Sequence, residues 1–405
     1  MVSVPGGATP AGLRVRGGAG GTRARLDDLL GAAALLVLTG QTVQRQAGVV
    51  LAIRTGPLAA TLAAAPATGL AAGSALISSV WGPHGLLPAG TRLIALGVAE
   101  RRAAELYLAV DQAGSAGFRA LATGLLGPFA DPVIGAGLLS VLLPRLGPGT
   151  DPVGRVGVSP TGGWRPVRPA TGAAGLAAAI AELERGAPGP AGAGPQIRVE
   201  RLVAAGRIRW LVSVAGTRDW SLRPGADPFD LTSNLALVAG RPADSTAAVL
   251  AARTAAGSRP GEPVLIAGHS QGGMVAAAVA AEAGVRRRFS VTHLVTLGAP
   301  ISRVAVPADV AVLALENGGD PVPWLDGRAD PDRRSWVTVS SPAQPVLPST
   351  AAHDAGRYLQ TAEQVDVSAD PSLQAWRESA AGFLSPGATA AAQARTFTAR
   401  RSAVG

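Results

Sequence analysis

Five consecutive residues, Gly268-His269-Ser270-Gln271-Gly272, put a hydroxyl where it can act as a nucleophile. The apolar run Val264-Leu265-Ile266 stands just before them and Met274-Val275-Ala276-Ala277 just after, which spells a strand, a sharp turn and a helix. Small residues two positions either side of Ser270 let the backbone turn tightly and lift the hydroxyl off the sheet edge. The helix that follows offers unpaired N–H groups at the same spot, where they favour developing negative charge. A glycine-rich turn with an incidental serine is the competing reading, because the chain has 53 glycines. The flanking strand and helix favour the nucleophile.

A serine hydroxyl is a weak nucleophile at neutral pH and needs a base within hydrogen-bond reach. The chain has four histidines, so the search is short. His84 lies well ahead of the strand-rich region. His269 is inside the turn, where its side chain is expected to point away from the reacting centre. His293 is mid-strand in Val291-Thr292-His293-Leu294-Val295 and reads as a satisfied core histidine. His353, in a loop that leads into a helix carrying Tyr358 and Leu359, is the candidate base. The acid that orients it is expected to be Asp320, at the carboxyl end of the strand Val310–Leu315, on the edge where ligands of open α/β sheets collect. Asp326 and Asp330 read as solvated loop charges. An oxyanion hole needs two donors aimed at the developing charge. The backbone N–H of Gln271 is one, and Thr217, closing the strand-like Leu211–Ala215 with Gly216, is the other. No metal or cofactor is needed for this chemistry.

Positioning these groups requires a parallel sheet. Ile197–Val203 and Ile208–Val214 read as a hairpin with Gly206 in its turn. A helix over 245–256, a strand over 263–267, a helix over 271–283 and strands over 291–297 and 310–315 follow. Such alternation predicts an α/β fold, a mostly parallel sheet with helices on both faces, preceded by an α-helical N-terminal domain. The expected boundaries are a mobile basic arm over 1–25, an Ala/Leu-rich helical domain over 26–146, and a Pro/Gly-rich linker over 147–173. The chemical domain occupies 174–385 and a flexible tail 386–405. Within the N-terminal block, the apolar helix expected over 26–38 is too short to span a bilayer. The uncharged stretch between Arg54 and Arg92 is long enough but interrupted by Pro66. Tyr107 and Asp111 read as an i, i+4 pair on a helix.

The net charge of +9 invites a nucleic-acid reading. All 36 basic residues are Arg, however, and the surplus is spread along the chain without interleaved aromatics, so nucleic acid is not an expected partner. No Cys is present, which excludes disulfide frameworks and thiolate metal sites. No cleavable signal peptide is recognised; a cytoplasmic location and leaderless export to the cell envelope both remain open.

Four stretches together resemble the class 3 (fungal-type) lipase family of α/β-hydrolases. They are Val212-Ser213-Val214-Ala215-Gly216-Thr217, Gly268-His269-Ser270-Gln271-Gly272-Gly273, Thr296-Leu297-Gly298-Ala299-Pro300 and Asn317-Gly318-Gly319-Asp320-Pro321-Val322-Pro323. The last is the most telling, since the chain has only one other Asn, Asn234. The resemblance covers about residues 175–385. It implies an esterase or lipase acting on a small-molecule or lipid ester, with Ser270, Asp320 and His353 as the catalytic residues and Thr217 and Gln271 as oxyanion donors. Gln271 stands where many such lipases carry Leu. No amphipathic lid helix is identifiable, and 219–234 is the candidate cover; a membrane surface as partner stays open. A different class of reading is a helical envelope- or secretion-associated binding protein with a vestigial hydrolase domain, and a thioesterase or peptidase of the same fold is the nearest chemical rival.

Overall fold

The computed structural model describes residues 12–53, 57–102, 104–105, 155–186, 196–220, 224–326, 328–342, 352–385, 387 and 390–402. Two compact units emerge: the described residues of Met1–Arg23 and Pro128–Gly405 form the first, and those of Ala24–Gly127 the second. Tyr107, Asp111 and residues 147–154 lie outside the described residues.

The first unit is an α/β structure around a mixed, mostly parallel sheet. Its strands are β1 (Arg14–Gly17), β2 (Val156–Pro160), β3 (Arg165–Val167), β4 (Ile197–Ala204), β5 (Arg207–Val214), β6 (Pro263–His269), β7 (Ser290–Leu297), β8 (Ala311–Glu316), β9 (Trp336–Ser340) and β10 (Ala391–Arg401). They line up as β1-β9-β8-β7-β6-β5-β4-β10-β2, with β3 also on β10. Strands β5 to β9 run parallel. Their sequences are near-continuous apolar runs because both faces are covered. Along β6, Val264 and Ile266 enter one core while Leu265 and Ala267 enter the other. The hairpin β4–β5 turns through Ala205 and Gly206, both at positive φ, the geometry of the primed turns that match strand twist.

Helices of the first unit cover both faces of its sheet. In the second unit lie most of α1 (Thr22–Ile53), then α2 (Pro57–Ala64), α3 (Pro66–Trp81) and α4 (86–102). In the first are α5 (Gly172–Arg185), α6 (Leu231–Val238), α7 (Asp244–Ala255), α8 (Gln271–Ala281), α9 (Ala283–Arg288), α10 (Tyr358–Val367) and α11 (Pro371–Leu384). Apolar residues of α7 and α8 fill one core, and those of α5, α10 and α11 the other.

Several sequence boundaries are corrected. The expected mobile arm over 1–25 includes β1, which pairs antiparallel with β9. Glycines make this docking possible: a Cβ on Gly17 would stand 2.2 Å from the Trp336 carbonyl oxygen. The expected flexible tail over 386–405 contains β10, an inner strand between β4 and β2. Its buried positions change face across Arg395-Thr396, Ala392 entering one core and Phe397 and Ala399 the other, so no simple alternation marks the strand, and alanine carries little strand propensity. The expected linker over 147–173 includes β2 and β3, both paired with β10. In the second unit, α1 extends to Ile53 rather than ending near Leu38. Among the described residues its segment Ala24–Ala52 is the one helix long and apolar enough to cross a membrane, whereas the stretch between Arg54 and Arg92 breaks into shorter helices at Ala65 and Gly82. Helices α1 and α4 approach closely through small residues: a Cβ on Gly97 would lie 2.6 Å from the Ala33 carbonyl oxygen.

Two acids on the β8–β9 side carry a stability prediction. Burial pushes Glu316 up to about 7 and Asp330 up to about 6, only partly offset by hydrogen bonds from Ser340 and Thr338 respectively. A carboxyl whose pKa is higher in the folded state holds its proton better there, so folding loses free energy as pH rises from about 4 through the folded pKa. Glu316→Gln is expected to remove about 2 kcal/mol of the stability loss between pH 5 and 8, read by denaturant melts of both proteins across that range.

Candidate active site

Ser270 ends the turn between β6 and α8 with φ 52 and ψ −120. Among the described residues only Ala205 shares a positive φ without being glycine, and this conformation costs about 1–3 kcal/mol. The turn is as tight as the G-x-S-x-G spacing requires. A Cβ on Gly268 would meet the Gly272 carbonyl carbon at 2.2 Å, and one on Gly272 would meet the Val214 carbonyl oxygen at 2.4 Å. Backbone cannot yield there as a side chain would, so Gly272→Ala is expected to destabilise the fold by about 3 kcal/mol or more, measured as a lowered urea midpoint.

The structure brings Ser270, His353 and Asp320 together. Ser270 Oγ is 2.9 Å from His353 Nε2, and His353 Nδ1 is 2.8 Å from Asp320 Oδ2. Asp320 is buried and held by further partners. Its Oδ1 takes the Val322 N–H at 2.9 Å, its Oδ2 takes the Tyr358 hydroxyl, and Gly298, at φ +60, leaves room for both oxygen-bearing groups. Burial alone raises the carboxyl, but the hydrogen bond and charge of His353, with Tyr358 and the Val322 N–H, outweigh it and hold Asp320 below its ordinary value. Burial and the Asp320 charge push the Tyr358 phenol well above its usual range, so it stays a donor. The loop is organised by Asn317. Its carbonyl oxygen accepts the Asp320 N–H at 3.0 Å, and its side-chain oxygen accepts Thr361 Oγ1 at 2.7 Å and Ser341 Oγ at 3.2 Å.

The rival acids are elsewhere and are not solvated charges. Asp326 is buried against the Ser302 N–H and hydroxyl at 2.8 and 2.7 Å, and Asp330 against Thr338 at 2.9 Å. His293 is buried beside Trp376 and Phe383, and burial pushes it down to about 4. The expectation for His269 is corrected: its ring does not point away. It lies against the His353 ring with centroids 4.6 Å apart, its Nε2 2.7 Å from the His353 carbonyl oxygen and its Nδ1 2.8 Å from Glu184 Oε1.

The two oxyanion candidates flank Ser270 differently. Gln271 is the first residue of α8, so its N–H has no intrahelical partner; its side chain is tied down by a 2.9 Å bond to the Asp230 carbonyl oxygen. The Thr217 hydroxyl accepts the Asn234 amide at 2.8 Å, which leaves its own hydrogen available. Gly216, by contrast, donates its N–H to Glu184 at 2.8 Å. The cavity over Ser270 has a volume of about 310 Å³ and is walled by Glu184, Gly216, Thr217, Arg218, Trp220 and the two histidines. The candidate cover over 219–234 is only partly a cover. Asp219 bridges to Asp230, and Leu235 and Ala236 of α6 are buried, so this half is a wall. Trp220 is 67% exposed at the mouth. Residues 221–223 are outside the described residues.

Sequence reasoning missed Glu184 and Tyr358. Tyr358 had a signal, as one of two tyrosines in the chain and only five residues past His353. Glu184 comes from α5, distant in sequence, and had none. Among the described residues no group of three or more His, Asp or Glu side chains could hold a metal ion. No family profile matches the chain, and no curated protein or solved structure is significantly similar to it.

Proposed function

We propose that this chain is a serine ester hydrolase of the α/β-hydrolase fold, related in mechanism to the class 3 lipases it resembles. The observation that carries the reading is the unbroken relay from Ser270 Oγ through both His353 nitrogens to Asp320. Ser270 attacks the acyl carbonyl while His353 Nε2 takes the hydroxyl proton. The oxygen that becomes negative faces the Gln271 N–H and the Thr217 hydroxyl. His353 then gives its proton to the leaving alcohol, and a water activated by the same ring releases the acyl group from Ser270. Asp320 stays ionised and stabilises the imidazolium.

The cavity favours small substrates. Its roughly 310 Å³ lies at the low end for small-molecule sites, and Glu184 and Arg218 make its wall polar. Short acyl esters are therefore preferred over long lipid chains. The deciding experiment is a p-nitrophenyl ester series from acetyl to dodecanoyl, with fluorophosphonate labelling of wild type and Ser270→Ala. The expected result is labelling of wild type alone and hydrolysis that falls with chain length. Full labelling of Ser270→Ala would sink the proposal.

A further inference from the structure

We propose that Glu184 and His269 form a proton-holding pair that pins the main chain of His353, so that this pair sets the alkaline limit of Ser270 reactivity. The inference rests on the serine hydrolase reading and adds a regulation of the same site. Both residues are positioning residues, acting through His353.

Donors and acceptors around His269 do not balance if its ring is neutral. Both ring nitrogens face acceptors: Nδ1 faces Glu184 Oε1 at 2.8 Å, and Nε2 faces the His353 carbonyl oxygen at 2.7 Å. A neutral imidazole has one N–H. With an ionised Glu184, a neutral His269 must aim a lone pair at either the carboxylate or the carbonyl. Protonating Glu184 at Oε1 instead competes with the Gly216 N–H, which donates to that same oxygen at 2.8 Å. The arrangement satisfied at every contact is therefore a doubly protonated ring beside an ionised Glu184. This is a buried ion pair, with side chains 6% and 24% exposed.

Titratable groups reach His269 from each element packed around it. Helix α5 contributes Glu184, the loop after β8 contributes Asp320, and the segment before α10 contributes His353. Tyr358 of α10 has its ring 5.9 Å away, and Arg218 stands further along the cavity wall. Among the described residues, the carboxylates of Glu184 and Asp320 both favour the proton. Burial lowers His269, yet the hydrogen bond and charge of Glu184 leave it above its ordinary value; Glu184 is correspondingly held below its own despite burial.

The sign follows. A histidine raised in the folded protein keeps its contact at low pH and loses it as pH rises through the raised value. Beside the carboxylate the neutral ring keeps its Nδ1–H, so the proton lost is the one on Nε2, whose lone pair then faces the His353 carbonyl oxygen and repels it. The His353 main chain is then free to drift, and its side chain with it, so the 2.9 Å approach to Ser270 is lost from the ensemble.

The test is the second-order rate of fluorophosphonate labelling against pH for wild type, Glu184→Gln and His269→Gln. In Glu184→Gln the neutral amide cannot stabilise the imidazolium, so the alkaline fall is expected to begin at least about one pH unit lower than in wild type. In His269→Gln the new side chain carries an amide that donates to the His353 carbonyl at any pH, so the alkaline fall is expected to vanish over the same range. A uniform loss at every pH in both variants would show a merely structural role and overturn the proposal. Nitrogen NMR of His269 in Ser270→Ala supplies a readout that needs no activity. A ring that stays doubly protonated to higher pH than an ordinary histidine, and loses this when Glu184→Gln is added, supports the pair; a ring that titrates alike in both overturns it. If wild type fails to label, the hydrolase reading falls while the NMR still decides the proton; if wild type labels normally but neither limb moves, only the pair falls.

Discussion

Ser270→Ala is expected to lower kcat/KM on the best short ester by a factor of about 10⁴–10⁶, leaving only what the oxyanion donors and the cavity supply. The loss is chemical and not a loss of fold, which a stability measurement separates. Ser270 holds φ 52, and alanine feels the same clash between Cβ and backbone, so the melting temperature of Ser270→Ala should stay close to that of wild type. Ser270→Gly is the informative companion. It removes the clash and should be more stable than wild type by about 1 kcal/mol while being equally inactive. A Ser270→Ala protein that unfolds early, or that keeps more than about a hundredth of wild-type activity, contradicts the assignment.

The second large effect is expected at the acid. Asp320→Asn should lower kcat by about 10⁴, although the substitution changes no volume. The reason is the set of partners: the His353 Nδ1–H, the Tyr358 hydroxyl and the Val322 N–H are all donors converging on one carboxylate. An amide has one acceptor oxygen and two N–H groups, so at least one donor must meet another. The cheapest relief is for His353 to change tautomer, which turns an N–H toward Ser270 and leaves no lone pair to take the hydroxyl proton. Tyr358→Phe removes one donor and preserves the carboxylate, so its cost should be nearer tenfold. Steady-state kinetics on the three proteins, with circular dichroism to confirm folding, checks the order; an Asp320→Asn enzyme as active as Tyr358→Phe would contradict it.

Legibility of the sequence differs by region for physical reasons. The strands β5 to β8 are readable because burial on both faces demands unbroken Val, Leu and Ile. The Ser270 turn is readable because its glycines have no room for a Cβ. The placements of Asp320 and His353 follow from strand ends and chain order. What is not readable depends on partners far away in sequence. Strands β1, β2 and β10 are made largely of Arg, Gly, Ala, Val and Thr, in short or weakly apolar runs that form strands only because a neighbour offers an edge. Asp326 and Asp330 read as loop charges because nothing local reveals Ser302 or Thr338 as their donors. The direction of His269 is hidden for the same reason, since Glu184 lies 85 residues before it.

Those flank pairings bear on how the chain reaches its native state. The Gly20 N–H bonds to Ser372 across 352 residues, and the Ala399 N–H to Gln196 across 203. Closing such loops costs entropy before any contact rewards it, and non-local sheets fold slowly. The sheet centre is expected to assemble first and its margins last. Arg401 at the end of β10 grips Asp230 and Asp244, and the Asp230 carbonyl holds the Gln271 side chain. A refolding protein should therefore recover its far-ultraviolet signal well before it regains a competent nucleophile, with the interval set by arrival of the last strand.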